Sequence, residues 1–413
     1  MTTATQRSEL VRRYRTPLYV YDLDKVLAAR EDLFESLPSG VEAFYAVKAN
    51  PHPELIRSLV EGERRCRAEV SSAGELAASS QGGHDPADVL YTGPAKTEDE
   101  LRFALSSGVR LFSAESVTDL RCIGSSAREA GVVADCLVRI NEPVVPGVSG
   151  ARMTGRPSQF GMDSESFRGA VPTLEGVPGT NVVGFHFFSQ SNAESEEALV
   201  AEFDHAVAAA ARLEKELGRP VRMVDIGGGF ACPYGRAGTR HRYPGLRAAL
   251  EDTLDRHLPR WRSGGVRIAV ESGRYLVGEC GTLLLGVRSV KTSRGRRFVL
   301  LDGGVNTFGG LSGVGRLLPA EVAVEADRVV QRVSLAGPLC TPGDILARGA
   351  EVPDLSVGDV IAIPNAGAYG PTASLLAFLS RPAPAEVVVR DGAVVSVSRL
   401  EHRRVYENAI GKG

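Results

Sequence analysis

Apolar runs alternate with amphipathic stretches from about residue 41 to residue 271. Eight runs have the length and composition of strands, at 41–48, 66–71, 88–92, 109–113, 134–141, 181–188, 222–226 and 267–271. Helical patterns lie between them, the clearest at 97–107, 117–130, 194–217 and 246–260. In the third of these, apolar residues recur every three or four positions and Gly218 can end the helix. This alternation predicts a (β/α)8 barrel, with a doubly wound open sheet as the alternative.

The pattern changes after residue 271. Short valine-rich runs follow, separated by Gly, Pro and Asp, at 282–290, 298–301, 330–335, 358–363, 386–390 and 393–399. The tetrapeptide RDGA (390–393) joins two alternating runs and predicts a hairpin. We therefore predict two domains, a barrel over 25–265 and a mostly antiparallel β domain over 266–413. The strand-like run 18–21 suggests that residues 15–24 join the second domain.

Composition limits the function classes that this chain can belong to. The 413 residues are 43% hydrophobic and 24% charged, as in soluble globular proteins, and the formal net charge of -2 favours neither nucleic acid nor an anionic membrane as partner. We find no signal peptide and no apolar stretch of about 18 residues, so no transmembrane helix is expected. The six cysteines form no CxxC pair and the histidines show no ligand spacing, which predicts no metal site and a reducing cytoplasm.

A single lysine ends the apolar run FYAVKAN (44–50). This places Lys48 at the carboxyl end of the first barrel strand, which is where barrel enzymes carry out their chemistry. An amine that is desolvated there loses its proton more easily and can attack a carbonyl to form a Schiff base. The alternative is a structural lysine whose side chain reaches water.

Two further motifs follow the seventh and eighth predicted strands. The glycines of DIGGGF (225–230) allow close approach of a ligand and can offer N–H groups to a phosphate, although structural turns use the same residues. The motif ESGR (271–274) offers Glu271 to a heterocyclic nitrogen and Arg274 to a phosphate, unless the two form only a surface ion pair. In the β half, Cys340 is a candidate proton donor or an inert thiol, and Tyr369 is a candidate phosphate ligand.

Together these motifs resemble one enzyme family. YAVKAN (45–50), DIGGGF (225–230), ESGR (271–274), GPLCTPGD (337–344) and GAYG (367–370) occur in the order and spacing of the fold-type III decarboxylases that depend on pyridoxal 5'-phosphate. This is the family of diaminopimelate and ornithine decarboxylases, and the resemblance covers about residues 15 to 400.

The resemblance implies a role for each matching residue. Lys48 would carry the cofactor covalently, Glu69 would lie near that lysine, and Glu271 would pair with the pyridine nitrogen. Arg139 would lie near the cofactor. The phosphate ligands implied are Ser191, Gly228, Gly229, Gly273, Arg274 and Tyr369. The family also implies a homodimer with shared sites, in which Cys340 of a second subunit returns a proton to the α-carbon.

Departures from the family pattern concern the ring and the substrate. Phe188 stands where an aromatic residue, often histidine, stacks on the cofactor ring. Relatives that form diamines place a carboxylate next to the cysteine to hold the distal ammonium, whereas this chain has Thr341. Leaving an ammonium without a counter-charge is costly. Asp344, which the resemblance implies points toward the substrate, keeps a diamine-forming reaction open.

The segments 153–161, 337–342 and 364–374 are similar to a branch that acts in secondary metabolism, of the butirosin and macrolactam pathway type. That branch decarboxylates glutamyl or 3-methylaspartyl groups carried by an acyl carrier protein. The resemblance implies the same for this chain, with Arg316 anchoring the substrate or the pantetheine arm. The alternatives are decarboxylation of a free amino acid such as meso-diaminopimelate, a non-catalytic antizyme-like protein, and an alanine-racemase-type enzyme.

Overall fold

The computed structural model describes residues 4–143, 151–152, 157–188, 190–193, 195–309 and 331–405. The strands, in chain order, are β1 (Leu18–Asp22), β2 (Val41–Ala46), β3 (Arg67–Val70), β4 (Val89–Tyr91), β5 (Leu111–Ala114), β6 (Ala134–Asn141), β7 (Ala151–Arg152), β8 (Met162–Asp163), β9 (Thr180–Phe187), β10 (Gln190–Ser191), β11 (Met223–Asp225), β12 (Arg267–Ser272), β13 (Gly281–Ser293), β14 (Arg296–Leu301), β15 (Gln331–Ala336), β16 (Ile345–Val352), β17 (Val360–Ile363), β18 (Ala385–Arg390) and β19 (Ala393–Arg399). The helices are α1 (Ala4–Tyr14), α2 (Leu23–Ser36), α3 (Pro53–Val60), α4 (Ala73–Gly82), α5 (Glu98–Ser106), α6 (Val117–Glu129), α7 (Ser164–Glu175), α8 (Glu196–Leu217), α9 (Leu246–His257) and α10 (Arg274–Val277).

The chain divides into two compact units. The barrel unit comprises Leu23–Pro233 and Gly238–Cys280. The β unit comprises Met1–Asp22, Tyr234–Ala237 and Gly281–Gly413. In the described parts of both units, no helix has the length and hydropathy that crossing a membrane requires.

The barrel unit is a closed parallel sheet. Its strands pair in the order β2, β3, β4, β5, β6, β9, β11 and β12, and β12 then pairs with β2. A helix follows each of these strands, from α3 after β2 to α10 after β12. The predicted (β/α)8 barrel is therefore confirmed, and ring closure excludes the open doubly wound sheet.

The barrel closes because its strands are buried and its helices are amphipathic. One apolar layer inside the unit combines side chains from six strands: Phe44, Leu90, Leu137, Val183, Met223 and Ala269. On α8, buried residues recur at three- and four-residue intervals. Ser195 caps this helix by accepting the Ala198 N–H at 3.2 Å, and Gly218 ends it with a φ of 76°.

The predicted domain boundary at 265/266 differs from the division that the structure shows. Residues 266–280 lie in the barrel unit because β12 pairs with β2 on one side and with β11 on the other. Without β12 the ring would stay open between β2 and β11. The residue pattern changes after 271, whereas the barrel unit continues to Cys280. The last helix of this unit, α10, has only four residues, too few for a recognisable helical pattern.

The β unit contains a mostly antiparallel sheet. Its strands lie in the order β16, β15, β14, β13, β1, β18 and β19, with β17 also paired to β13. The predicted hairpin joins β18 to β19, and Asp391 and Gly392 both have positive φ, as a two-residue type I′ turn requires. Helix α1 covers one face of the sheet, where Leu10 packs with residues such as Val20 and Val387.

Candidate active site

Ionisable side chains cluster at the carboxyl-terminal ends of the barrel strands, and six of them are central to the site: Lys48, Glu69, Arg139, His186, Asp225 and Glu271. All of them except Lys48 are buried. Burying this many charged and polar groups is costly unless they pair with one another or with a ligand. The carboxyl end of the barrel is therefore the candidate site, as in other barrels of this class.

Lys48 lies in a 3-10 turn, Val47–Ala49, directly after β2. Its Nζ is 2.9 Å from Glu69 Oε2 and 5.6 Å from the centre of the Phe188 ring. The sequence predicted a strand through residue 48 and a desolvated amine. The strand instead ends at Ala46, and the turn that follows it leaves the Lys48 side chain 40% exposed.

Two hydroxyl groups fix the carboxylate that faces Lys48. The Thr92 hydroxyl donates a hydrogen bond to Glu69 Oε1, and the Ser71 hydroxyl reaches the same oxygen at 3.3 Å. The other oxygen, Oε2, accepts the hydrogen bond from Lys48. Glu69 is thus oriented toward the lysine.

A second polar cluster lies deeper in the barrel. His186 Nε2 is 2.9 Å from Glu271 Oε1, and His186 Nδ1 is 2.7 Å from the Ser113 hydroxyl. Asp225 Oδ1 accepts the Gly227 N–H at 2.9 Å, whereas Asp225 Oδ2 has no hydrogen-bond partner in the described part of the chain. His186, Asp225 and Glu271 each offer one potential metal-ligand atom, and these three atoms lie within 4.8 Å of one another. The spacing of these residues in the sequence predicted no metal site and did not reveal this grouping.

The two carboxylates of this cluster have opposite electrostatic environments. Burial alone would raise the pKa of the Glu271 carboxyl. The neighbouring His186 and the Lys48 and Arg139 cations outweigh burial, so this pKa lies below the usual value of a glutamate. Burial raises the pKa of Asp225 well above its usual value, and the charge of Glu271 raises it further. Glu271 therefore favours its ionised form more strongly than Asp225 does.

Glycines allow a ligand to approach the backbone after β11 and β12. A Cβ at position 228 would lie 2.3 Å from the Glu271 carbonyl oxygen, so only glycine fits there. A Cβ at position 273 would come within 3.0 Å of the Ala49 side chain. Among the described residues, neither the Gly228 nor the Gly229 N–H donates to a protein acceptor. Gly273 directly precedes Arg274, the first residue of α10.

Arg139 is held on β6 by a carboxylate and an aromatic ring. Its guanidinium donates to Glu115 Oε1 at 2.9 Å and lies 4.7 Å from the centre of the Phe160 ring. Glu115 Oε2 accepts the Gly161 N–H at 2.7 Å. Glu115 therefore connects Arg139 to the end of the segment 153–161.

The β unit contains the predicted proton donor and its neighbours. Cys340 lies in a loop and is exposed, and the adjacent Thr341 is neutral. Asp344, which the family resemblance implies points toward the substrate, contacts backbone groups of its own unit. Its carboxylate is only 2% exposed and accepts the N–H groups of Val305 at 2.7 Å and Leu339 at 2.6 Å. Both oxygens of Asp344 therefore hold the backbone on either side of the loop.

Three other predicted residues are described in part or not at all. Tyr369 has a φ of 51°, and its carbonyl oxygen accepts the Tyr234 hydroxyl at 3.0 Å within the β unit. Ser191 lies in β10, but its side chain is outside the described residues. Arg316 and residues 153–156 are also outside the described residues, so their predicted roles stay predictions.

The sequence motifs did not indicate a role for Ser113, Glu115, His186 or Asp225. Each is a polar residue in the last positions of a barrel strand or directly after it. Strands of a parallel sheet that is covered on both faces are normally apolar throughout. A polar residue near the end of such a strand is therefore the signal that could have identified these four.

A lysine, buried carboxylates and a glycine-lined backbone at the carboxyl end of a closed barrel define a cofactor-binding barrel enzyme. The family described as "Pyridoxal-dependent decarboxylase, pyridoxal binding domain" matches residues 23–278. The chain therefore belongs to this family: it is a carboxy-lyase that uses pyridoxal 5'-phosphate to decarboxylate an amino acid.

Three similar proteins match nearly the whole chain. The L-glutamyl-(BtrI acyl-carrier protein) decarboxylase of Niallia circulans is 29% identical over 402 residues, 94% of this chain and 92% of that protein. The diaminopimelate decarboxylase of Methanothermobacter thermautotrophicus is 32% identical over 404 residues, 95% of this chain and 91% of that protein. The crystal structure of diaminopimelate decarboxylase from Helicobacter pylori complexed with L-lysine has a TM-score of 0.80 and 26% identity, and the match covers 95% of both chains.

The residues of the barrel unit fit this cofactor. Glu271 Oε1 is buried and forms no aligned hydrogen bond within the described part of the chain, so it can accept one from a pyridinium nitrogen. The N–H groups of Gly228 and Gly229 are available to a phosphate. The Lys48 amine and the Phe188 ring, 5.6 Å apart, offer a covalent attachment point and an aromatic face.

Proposed function

We propose that this enzyme is an α-decarboxylase of an acidic aminoacyl group, of the aspartyl, 3-methylaspartyl or glutamyl type, tethered to an acyl carrier protein in natural-product biosynthesis. Membership of the decarboxylase family supports the reaction. A relative that acts on a carrier-bound glutamyl group, 29% identical over 94% of this chain, supports the substrate. The alternative is a decarboxylase of a free amino acid such as meso-diaminopimelate, which a relative of 32% identity supports.

In this proposal each residue of the barrel unit has a definite task. Bound pyridoxal phosphate supplies an electron sink for the electron pair that remains when the α-carboxylate leaves as CO2. Lys48 provides the amine that binds the cofactor, and Glu69 orients that amine. Glu271 keeps the ring nitrogen protonated, and Phe188 packs against the ring.

The remaining contacts bind the phosphate and the substrate. Gly228, Gly229 and Gly273 bring backbone N–H groups to the phosphate, and Arg274 adds a charged fork. Ser191 and Tyr369 complete the phosphate ligands. Arg139 supplies positive charge near the cofactor.

A single observation favours a tethered substrate over a diamine-forming one. In the loop 337–344 the only acid is Asp344, and both of its oxygens accept backbone N–H groups. Thr341, next to Cys340, is neutral. The distal ammonium of free diaminopimelate, lysine or ornithine would find no free carboxylate in this loop, and an unpaired buried charge is costly. A thioester has no such charge.

The proposal includes a second copy of the chain and a carrier protein. Cys340, exposed in this chain, would act in the site of the second copy by returning a proton to the α-carbon. Arg316 would anchor the substrate or the pantetheine arm. We place the enzyme in the cytoplasm because all six cysteines are free thiols.

The variant Thr341→Glu tests the substrate assignment. A new carboxylate beside Cys340 should disfavour an acidic, carrier-bound group and provide a partner for a distal ammonium. We expect kcat/KM for the carrier-bound substrate to fall, and kcat/KM for free diaminopimelate to rise by about 10- to 100-fold, the value of a hydrogen bond to a charged group. Both rates are measured by the loss of CO2 in mass spectrometry.

Thr292→Glu is the matched control, because Thr292 is an exposed residue of β13 in the same unit. It should change neither rate. The assignment fails if wild-type enzyme already turns over free diaminopimelate efficiently and Thr341→Glu leaves that rate unchanged, because the distal ammonium would then have another partner.

A further inference from the structure

His186 occupies a position between two strands that contribute to the site. It lies on β9 and is 1% exposed, and its two ring nitrogens face opposite neighbours. Nδ1 is 2.7 Å from the Ser113 hydroxyl on β5, and Nε2 is 2.9 Å from Glu271 Oε1 on β12. The side chains of His186 and Glu271 are each 2% exposed, so no bulk water competes for this contact.

We propose that His186, held by Ser113, is a positioning residue that fixes the carboxylate of Glu271 against the ring nitrogen of the cofactor. This inference rests on the proposed role of Glu271 and is independent of which amino acid is the substrate. His186 itself does not need to touch the cofactor. Its effect is on the orientation and charge of its neighbour.

Because of its contact with Ser113, His186 can present a hydrogen to Glu271 whether the imidazole is neutral or protonated. A hydroxyl group can donate a hydrogen bond or accept one. When Ser113 donates to Nδ1, the neutral imidazole carries its hydrogen on Nε2, which faces Glu271. When Ser113 accepts from Nδ1, the imidazolium still presents a hydrogen on Nε2. In both cases a hydrogen on Nε2 lies beside the Glu271 carboxylate and favours its ionised form.

The contact leaves Glu271 able to bind a second donor. Although Nε2 and Oε1 are 2.9 Å apart, neither atom forms an aligned hydrogen bond within the described residues. Catalytic hydrogen bonds are often poorly aligned before the ligand binds. His186 therefore orients Glu271 Oε1 from one side, and the same oxygen can still accept a hydrogen bond from the pyridinium nitrogen.

Other charges around Glu271 do not replace His186. The Lys48 and Arg139 cations also favour its ionised form, but each of them pairs with another carboxylate, Glu69 and Glu115 respectively. Asp225 faces the same cluster, and burial holds its pKa well above the usual range, which disfavours a second negative charge beside Glu271. His186 is the cluster member whose nitrogen lies within 3 Å of the Glu271 carboxylate.

The experiment measures the protonation of the ring nitrogen directly. Holoenzyme is prepared with pyridoxal phosphate labelled with ¹⁵N in the ring, and the ¹⁵N chemical shift is followed against pH. In wild type we expect the protonated-ring resonance across neutral pH. In His186→Phe we expect the resonance to move toward that of the unprotonated ring, with kcat reduced about 10- to 100-fold, the usual effect of removing a group that orients a catalytic ligand.

Two further variants keep the test decisive if His186→Phe does not fold or does not retain cofactor. His186→Gln keeps an N–H donor and should restore kcat and the resonance most of the way to wild type. Ser113→Ala keeps the imidazole but removes its support, and should shift the resonance in the same direction as His186→Phe by a smaller amount. Wild-type values of kcat and chemical shift in both His186→Phe and Ser113→Ala would overturn the proposal.

The barrel unit supplies a matched control pair. His84 is also buried, with Nδ1 3.0 Å from the Ser79 hydroxyl, but its Nε2 faces the Cys66 carbonyl oxygen at 3.0 Å instead of a carboxylate. His84→Phe should leave the ring resonance unchanged, whatever it does to stability. A shift as large as that of His186→Phe would contradict a specific role for His186.

Glu271→Gln separates this inference from the assignment on which it rests. This variant should itself shift the resonance toward the unprotonated ring. If it does and His186→Phe does not, the His186 proposal is wrong and the Glu271 assignment stands. If neither variant shifts the resonance, the assignment of Glu271 to the ring nitrogen is wrong as well.

Discussion

At the scale of single residues, the pKa values of two buried carboxylic acids in one barrel are shifted in opposite directions. The pKa of Glu271 is lowered because His186 and two nearby cations stabilise its charge, and the pKa of Asp225 is raised because burial and the charge of Glu271 disfavour its ionised form. Glu271 is therefore the better suited of the two to stabilise a protonated ring nitrogen. The difference arises from neighbours, since both side chains are buried.

Asp344 is a second case in which contacts decide a role. Its carboxylate accepts the N–H groups of Val305 and Leu339, and asparagine can accept only one of these. We expect Asp344→Asn to lower the free energy of unfolding by about 1–3 kcal/mol, because a buried donor loses its partner. Thermal or urea denaturation of the holoenzyme measures this loss.

Asp354→Asn is the control for this prediction. Its side chain is 75% exposed and accepts only exposed contacts, from Arg297 and Gln331 among the described residues, so its substitution should change stability by less than about 0.5 kcal/mol. If Asp344→Asn instead raises KM and leaves the denaturation midpoint unchanged, the substrate-facing role implied by the family resemblance is correct and the structural role is wrong.

At the scale of elements, β18 contains a buried glutamate in a valine-rich strand. Glu386 is 6% exposed and accepts a hydrogen bond from the Tyr21 hydroxyl on β1 at 3.1 Å. Burial raises the pKa of the Glu386 carboxyl from 4.5 to about 7, although the Tyr21 hydroxyl acts in the opposite direction. The pairing of β1 with β18 therefore includes an acid that prefers to be neutral.

This strand pair should lose stability as the pH rises. Between about pH 4.5 and pH 7 the folded state binds a proton at Glu386 that the unfolded state has released, so stability is greatest below this window and falls through it. Glu386→Gln should remove this dependence and be more stable than wild type at pH 8, by up to about 3 kcal/mol. Denaturation midpoints measured from pH 5 to pH 8 test this.

Glu351→Gln removes an exposed acid of β16 from the same unit and is the comparison. It should follow the wild-type pH profile. A Glu386→Gln profile parallel to that of wild type would show that Glu386 ionises in the folded state as readily as in the unfolded one.

The elements that the sequence predicts well are those with a strong local pattern. The barrel strands and α8 are regular in hydrophobic period, and the structure places them within a few residues of the predicted bounds. Strand β16 was not predicted, because Arg348, Gly349 and Glu351 interrupt its alternation. The turn at Lys48 was missed because hydrophobicity does not distinguish the end of a strand from a following 3-10 turn.

The site was only partly predictable for a different reason. Motifs identify Lys48 and Glu271, since each follows an apolar run and precedes turn residues. The contact of Ser113 with His186 joins residues 73 positions apart, and nothing in one sequence reports which strand ends face each other across a barrel. The carboxylate of Asp344 likewise makes a tertiary contact, because it accepts the N–H of Val305, which lies 39 positions away in the sequence.

At the scale of the whole molecule, the account requires two copies of the chain for one active site. Lys48→Ala and Cys340→Ala should each be inactive alone. In a mixed dimer one site lacks both groups and the other has both, so random exchange should restore up to about a quarter of wild-type activity. Activity is measured after mixing, with mass-tagged subunits to verify that exchange has occurred.

No recovery in a sample where mixed dimers are demonstrably present would indicate that each site is built within one chain. The matched control is Cys122→Ala, which removes a free thiol of the barrel unit. Mixing it with Lys48→Ala should only dilute activity in proportion to the inactive subunits.

The measurement that tests the central claim most directly is a competition in one vessel. Wild-type holoenzyme is given carrier proteins loaded with aspartyl, 3-methylaspartyl or glutamyl groups together with free meso-diaminopimelate, lysine and ornithine, and intact-mass and small-molecule mass spectrometry follow the loss of CO2. The account predicts that a carrier-bound group loses CO2 first. If a free amino acid is decarboxylated at about 10⁴ M⁻¹s⁻¹ or more while every carrier-bound group stays unchanged, the tethered-substrate account is contradicted.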